Sequence, residues 1–205
     1  MLLNVTNLNC RRGPKLIIAN VSLSVTAGEC IILRGPNGSG KTTLLRFLAG
    51  LSDNAGIKTY NNSIAYSGHL DGVKSTLTVN ENLSFWAGIY ATNNLDKVIK
   101  KLNLEDLSNN LVGELSTGQK RRLGLARMLI SNAKIWLMDE PTSSLDTSTS
   151  SLIFEAINLH CKNDGAAIIS THINLNIPKS RVLNMEDFAV KREDEDDLFL
   201  KGSFQ

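Results

Sequence analysis

The sequence predicts an α/β fold with a buried parallel sheet, and particular stretches carry that prediction. Cys30-Ile31-Ile32-Leu33-Arg34 is a short apolar strand that runs into a glycine-rich turn and then an amphipathic helix, Thr43-Leu44-Leu45-Arg46-Phe47-Leu48. Ile135-Trp136-Leu137-Met138 is too short for a helix and ends on Asp139-Glu140-Pro141; Ala166-Ala167-Ile168-Ile169-Ser170 repeats the pattern and ends on Thr171-His172. Continuous apolar runs alternating with helical stretches are how strands covered on both faces read in a sequence.

Taken in order, residues 2 to 10 and 16 to 25 read as strands, because Leu16 and Ile18, and then Val21, Leu23 and Val25, recur at period two and Arg12-Gly13-Pro14 breaks the run. They predict an antiparallel β edge ahead of the Cys30 strand. Beyond the first helix, Gly50 and Gly56 bracket a loop, within which Asp53-Asn54-Ala55-Gly56 reads as a turn. Ser63-Ile64-Ala65-Tyr66 is a short strand ending at Ser67-Gly68-His69. Thr78-Val79-Asn80-Glu81 has capping-box spacing and starts a helix rich in aromatics, Phe85, Trp86 and Tyr90, which read first as core packing and second as a docking face for a membrane partner. A second helix follows at about 95 to 102, so residues from about 70 to 117 form an inserted helical subdomain. Ser116 is a natural N-cap for a helix carrying Leu123, Leu125, Ala126, Leu129 and Ile130 at helical spacing. A further helix spans about 147 to 160, where His160 beside Cys161 reads as a surface helix end. Residues 1–190 are expected to form one domain, and 191–205 an acidic tail containing Glu193-Asp194-Glu195-Asp196-Asp197.

The chain has 205 residues, 42% of them hydrophobic, enough to bury a full core. A formal charge of +2, with no basic run beyond Lys120-Arg121-Arg122, argues against a nucleic-acid partner. Its cysteines, Cys10, Cys30 and Cys161, lack C-x-x-C spacing, which fits a reducing compartment. The start Met1-Leu2-Leu3-Asn4 does not read as a signal peptide, and no apolar stretch is long enough to span a bilayer. A cytosolic chain is expected, with any membrane role supplied by a partner.

Gly35-Pro36-Asn37-Gly38-Ser39-Gly40-Lys41-Thr42, between a strand and a helix, is a phosphate-binding loop. Its glycines let successive N–H groups point at one anion, and the helix N-terminus adds partial positive charge. Lys41 reaches the β- and γ-phosphates, and the Thr42 hydroxyl and the Asp139 carboxylate hold Mg²⁺. Glu140, one residue beyond the metal-binding aspartate, can activate an attacking water as a general base. Ser116-Thr117-Gly118-Gln119 opens a second helix N-terminus suited to phosphate, so the nucleotide is expected between two surfaces.

These motifs, in this order, resemble the ATP-binding cassette (ABC) ATPases, over about residues 1 to 185. The resemblance implies a RecA-like P-loop NTPase core. It places ATP on Gly35 through Thr43, with Lys41, Glu140 and His172 catalytic and Thr42 and Asp139 on Mg²⁺. It implies a homodimer in which Ser116, Thr117, Gly118 and Gln119 of one chain meet ATP held by the other, and Asp146 of Ser144-Leu145-Asp146 crosses the interface. Some positions depart from the family pattern. His69 stands where the family has glutamine, Thr117 replaces a common glycine, and Arg11 or Arg12 lies where an aromatic stacks on adenine.

Tyr66-Ser67-Gly68-His69-Leu70-Asp71-Gly72-Val73-Lys74, followed by Leu77-Thr78 and Glu81-Asn82-Leu83, is similar to the haem-exporter ATP-binding subunits of cytochrome c maturation, the CcmA type. That implies integral membrane partners of CcmB/CcmC type and a peripheral place on the cytoplasmic face of the inner membrane. Haem itself has no axial-ligand pocket to enter among scattered histidines. The alternatives are another small ABC exporter or an ABC ATPase not acting in transport. A DNA-repair ATPase needs a long heptad segment between its motifs, and a ribosome-binding factor needs two cassettes; neither is present.

Overall fold

The computed structural model describes residues 1–52, 57–60, 63–68, 72–143, 145–173 and 177–190. The sequence readings at Asp53 to Gly56, at His69, Leu70 and Asp71, at Ser144 and over the tail 191–205 lie outside the described residues.

An antiparallel hairpin of β1 (Leu3–Arg12) and β2 (Lys15–Val25) opens the chain. The predicted apolar spacing shifts phase between Ile18 and Val21, and the backbone shows why. Asn20 takes φ 59° and Asn7 φ 51°, a left-handed conformation that asparagine tolerates better than most residues. Their N–H groups leave the ladder and donate to Asn9 Oδ1 (2.9 Å) and Ser22 Oγ (3.0 Å). These irregularities swing the hairpin without turning its apolar side to water. β1 also pairs with β4 (Ile57–Tyr60), so the predicted β edge is a sheet of its own, in the order β2-β1-β4, with a strand that the sequence reading missed.

The second sheet contains β3 (Cys30–Arg34), β5 (Ile64–Ser67), β6 (Ile135–Asp139), β7 (Ala166–Ser170) and β8 (Ser180–Asn184). Their order among the described residues is β5-β6-β7-β3-β8, with parallel pairing throughout. Successive side chains alternate between its faces. Ile31, Leu33, Ile135, Leu137, Ala166 and Ile168 pack with the hairpin and with α1 (Lys41–Leu48). Cys30, Ile32, Trp136, Met138, Ala167 and Ile169 pack on the opposite side against the other helices. Each fully buried Leu or Ile contributes roughly 1.5–3 kcal/mol through its removal from water, which explains why β3, β6 and β7 carry no polar side until they reach the site.

The helical layer consists of α2 (Val79–Tyr90), α3 (Leu95–Lys101), α4 (Thr117–Ile130) and α5 (Thr147–Lys162). α2 starts with the predicted capping box: Glu81 N donates to Thr78 Oγ1, and Thr78 N donates to Glu81 Oε2 at 2.8 Å. Its buried positions are Val79, Asn82, Leu83 and Ala87. The aromatics are therefore not core as predicted. Phe85 is 45% exposed, Ile89 55% and Tyr90 36%, with Trp86 half-buried and stacked on Tyr90.

His160 also departs from its predicted place at a helix surface. Its ring stacks on Trp136 at 4.0 Å with 7° between planes, and a Cβ at Gly165 would meet it at 2.3 Å, so only glycine fits there. Burial pushes the imidazole pKa down to about 4. The unfolded chain then binds a proton that the fold refuses, so stability falls as the pH drops from the ordinary histidine value near 6.5 towards 4. Urea unfolding midpoints followed from pH 7.5 to 4.5 check this: wild type should lose stability relative to His160→Gln across that window, and parallel curves would refute it. The cysteines are free and buried, each thiol pushed up by burial, Cys10 and Cys30 to about 12 and Cys161 to about 11.

Candidate nucleotide site

The ends of β3, β6 and β7 converge where the parallel sheet meets the N-terminus of α1. The loop between β3 and α1 is glycine-dependent in a direct steric sense. A Cβ at Gly40 (φ 94°) would strike Ile18 Cγ2 at 2.7 Å, and one at Gly35 (φ 145°) would strike Ser39 Oγ at 2.7 Å. No side chain caps α1, which leaves its first N–H groups turned towards the loop's concave side. Lys41 is 7% exposed and donates to the carbonyls of Gly35 (2.7 Å) and Pro36 (3.0 Å).

Across the sheet, Thr42 Oγ1 donates to Asp139 Oδ2 at 2.7 Å, while Ser170 Oγ donates to Asp139 Oδ1 at 2.6 Å. Fully buried Ser170 also accepts from Glu140 N at 2.9 Å, so one hydroxyl on β7 orients both acidic residues at the end of β6. Glu140 adopts φ 47°, and its Oε1 lies 3.4 Å from His172 Nε2, within ion-pair reach but not aligned as a hydrogen bond. Arg34, the last residue of β3, donates to the carbonyls of Thr171 and Ile173, both at 2.6 Å, on either side of His172. Arg121 of α4 reaches the Gly68 carbonyl at 2.9 Å and the Glu140 carbonyl at 3.5 Å, tying that helix to the site.

Thr42 and Asp139 form a small set of hard oxygen donors. Mg²⁺ is bound by one or two protein oxygens plus substrate phosphates, and this pair fits that requirement. A groove of about 1900 Å³ extends from them. Asn37, Gly38, Gly40, Lys41, Thr42, Thr43, Asp139 and Glu140 line its phosphate end. Its far wall includes Arg11, Arg12, Leu16 and Ile17 from the hairpin, together with Phe188 from the short 3₁₀ turn after β8. The sequence reading weighed Arg11 and Arg12 there and missed Phe188, a lone aromatic in a region with no motif.

Ser116, Thr117, Gly118 and Gln119 do not line this groove. Ser116 caps α4 in a capping box with Gln119: Gln119 N donates to Ser116 Oγ at 3.3 Å, and Ser116 N donates to Gln119 Oε1 at 2.8 Å. Gly118 lies beside Asp146, since a Cβ there would come 3.6 Å from Asp146 Oδ2. Asp146 is the N-cap of α5, accepting from Thr149 N at 2.8 Å and from Ser148 Oγ at 2.6 Å. Those hydrogen bonds, the Ser148 hydroxyl foremost, hold its pKa down to about 2. One chain thus presents a nucleotide groove and, apart from it, a second helix start with an ionised carboxylate alongside.

The family model described as ABC transporter matches residues 18–143. The chain is 46% identical over 192 residues to the cytochrome c biogenesis ATP-binding export protein CcmA of Rhodobacter capsulatus, covering 93% of this chain and 90% of that one. It is 46% identical over 189 residues to CcmA of Paracoccus denitrificans, covering 91% and 90%. Among solved structures, an ABC transporter ATP-binding protein from Pyrococcus furiosus matches with TM-score 0.80 at 25% identity, over 92% of this chain and 99% of that one. A dimeric bacterial ABC transporter cassette shares the fold, with TM-score 0.78 at 23% identity over 90% and 95%.

Proposed function

Because this chain belongs to the ABC transporter family, among the ATP-binding proteins of CcmA type, we propose that it is the ATP-hydrolysing subunit of the haem exporter of cytochrome c biogenesis. Residues 1–190 act as one ATPase domain. The observation that carries the reading is the cluster at the open end of the phosphate loop: Thr42 and Ser170 bond the two Asp139 oxygens, Ser170 accepts from the Glu140 backbone N–H, and Glu140 Oε1 lies 3.4 Å from His172 Nε2.

In this reading Gly35 through Thr43 surround the ATP phosphates, and Lys41 exchanges its carbonyl partners for phosphate oxygens. Thr42 and Asp139 would hold Mg²⁺, which would supply positive charge to the phosphates. Glu140 accepts the proton of the attacking water, and His172 contacts the γ-phosphate. A second copy, head to tail, closes the groove with its own Ser116, Thr117, Gly118 and Gln119, while Asp146 faces across the dimer. That arrangement explains why the signature turn stands apart from the groove within one chain.

Among the described residues no helix is long and apolar enough to cross a membrane. Work on a membrane therefore passes through partners, here CcmB/CcmC-like subunits, with this chain peripheral on the cytoplasmic face of the inner membrane. Their dock is the exposed Phe85, Ile89 and Tyr90 face of α2, with Lys74 5.0 Å above Phe85 and Arg127 5.0 Å from Trp86. By its position in the sequence, between β5 and the helical insert, His69 is our candidate for coupling nucleotide state to that face.

Coexpression with the membrane subunits tests the proposal. The chain should purify with them, hydrolyse ATP faster in the complex than alone, and be required for haem attachment to cytochromes c in cells. Normal haem attachment in its absence would favour another small exporter instead.

A further inference from the structure

Hydrogen-bonded pairing between β3 and β7 runs out at Leu33 and Ser170. The segment that follows β7 carries His172, whose side chain is 60% exposed and so gains little from packing. What continues the pairing is a side chain. The two terminal nitrogens of Arg34 donate to the carbonyls of Thr171 and Ile173, each at 2.6 Å, so one rigid guanidinium plane grips the carbonyls of both residues that flank the histidine. The same residue is bonded directly to Gly35, whose carbonyl accepts from Lys41 Nζ at 2.7 Å. A single residue, Gly35, thus lies between the lysine that meets phosphate and the fork that holds the histidine.

We propose that Arg34 is a positioning residue for hydrolysis: it fixes residues 171–173 so that His172 stays against Glu140, and it links that placement to the phosphate loop. The proposal rests on the assignment of Glu140 and His172 to ATP hydrolysis. Lysine cannot substitute, because an ammonium is a point donor on a flexible stem, whereas the guanidinium offers parallel N–H groups in a fixed plane. Thr171 Oγ1, which accepts from Ile173 N at 3.1 Å, tightens the turn internally but does not anchor it to β3.

The test is a mutant cycle on the membrane-assembled complex, with kcat and KM for ATP measured for wild type, R34M, R34K, H172A and R34M/H172A. R34M should lower kcat about tenfold or more, equivalent to about 1.4 kcal/mol, with KM little changed. R34K should recover only a small part of the loss. In the H172A background R34M should add almost nothing, because residues acting through one another are not additive. A kcat within about twofold of wild type in both Arg34 variants, or an equal loss in both backgrounds, would overturn the proposal while leaving the role of His172 intact. Full activity in H172A would instead overturn the assignment of His172, and this inference with it. Should R34M fail to fold, R34K and R34K/H172A carry the same comparison.

Discussion

Glu140→Gln should bind ATP normally and lose hydrolysis by on the order of 10²- to 10⁴-fold, the usual contribution of a positioned general base. The geometry makes the substitution a clean one. Glu140 is held through its backbone N–H by Ser170, and that bond does not depend on the side chain. Its Oε1 is buried and forms no hydrogen bond, so an amide can occupy the same space without stranding a partner. What the amide cannot do is take a proton from water. With hydrolysis stalled, the head-to-tail pair should stay closed, and light scattering with ATP should report a dimer where wild type returns to monomer. Hydrolysis within about tenfold of wild type, a barrier change of only about 1.4 kcal/mol, would mean that the base lies elsewhere.

Lys41→Ala should be at least as damaging and should differ in kind, because it weakens ATP binding as well as turnover. The ammonium is almost fully buried within the loop, satisfied by the Gly35 and Pro36 carbonyls, and poised beside the start of α1. Removing one donor aimed at charge in the transition state costs roughly 10²–10³-fold in turnover. Here the same group also contributes a full positive charge to the bound nucleotide. Fluorescent-nucleotide titration of the purified chain and ATPase assays on the membrane-assembled complex separate the two losses. Activity near wild type would refute the role.

Most of the candidate site's phosphate end was legible as a groove lining because its residues fall in short contiguous runs. Gly35 to Thr42 must be glycine-rich to avoid Ile18 and Ser39, and Asp139-Glu140 stands out after four apolar residues on a doubly covered strand. The residues that position these groups were not legible. Ser170 and Arg34 act through long-range bonds, to partners 30 and 31 residues away for the serine and 137 and 139 away for the arginine, and no local pattern marks them. β8 was missed because an edge strand need not be apolar: Arg181 and Val182 are exposed, the latter at 59%. The aromatics of α2 were misjudged by residue type alone. The spacing of Val79, Leu83 and Ala87 already assigned the buried stripe and left Phe85 and Ile89 outside it.

The strand order has a consequence for how the molecule comes into being. β3 is flanked by β7 and β8, so the strand that feeds the phosphate loop finds its neighbours only in residues 166–170 and 180–184. During synthesis, the hairpin of β1 and β2 can close almost at once, but β3 must wait for well over a hundred further residues. At translation rates of about 5–20 residues per second that delay is on the order of ten seconds. Nucleotide binding is therefore a late event relative to closure of the hairpin, and an apolar strand, Cys30 to Leu33, needs protection from aggregation until residues 166–184 have been made.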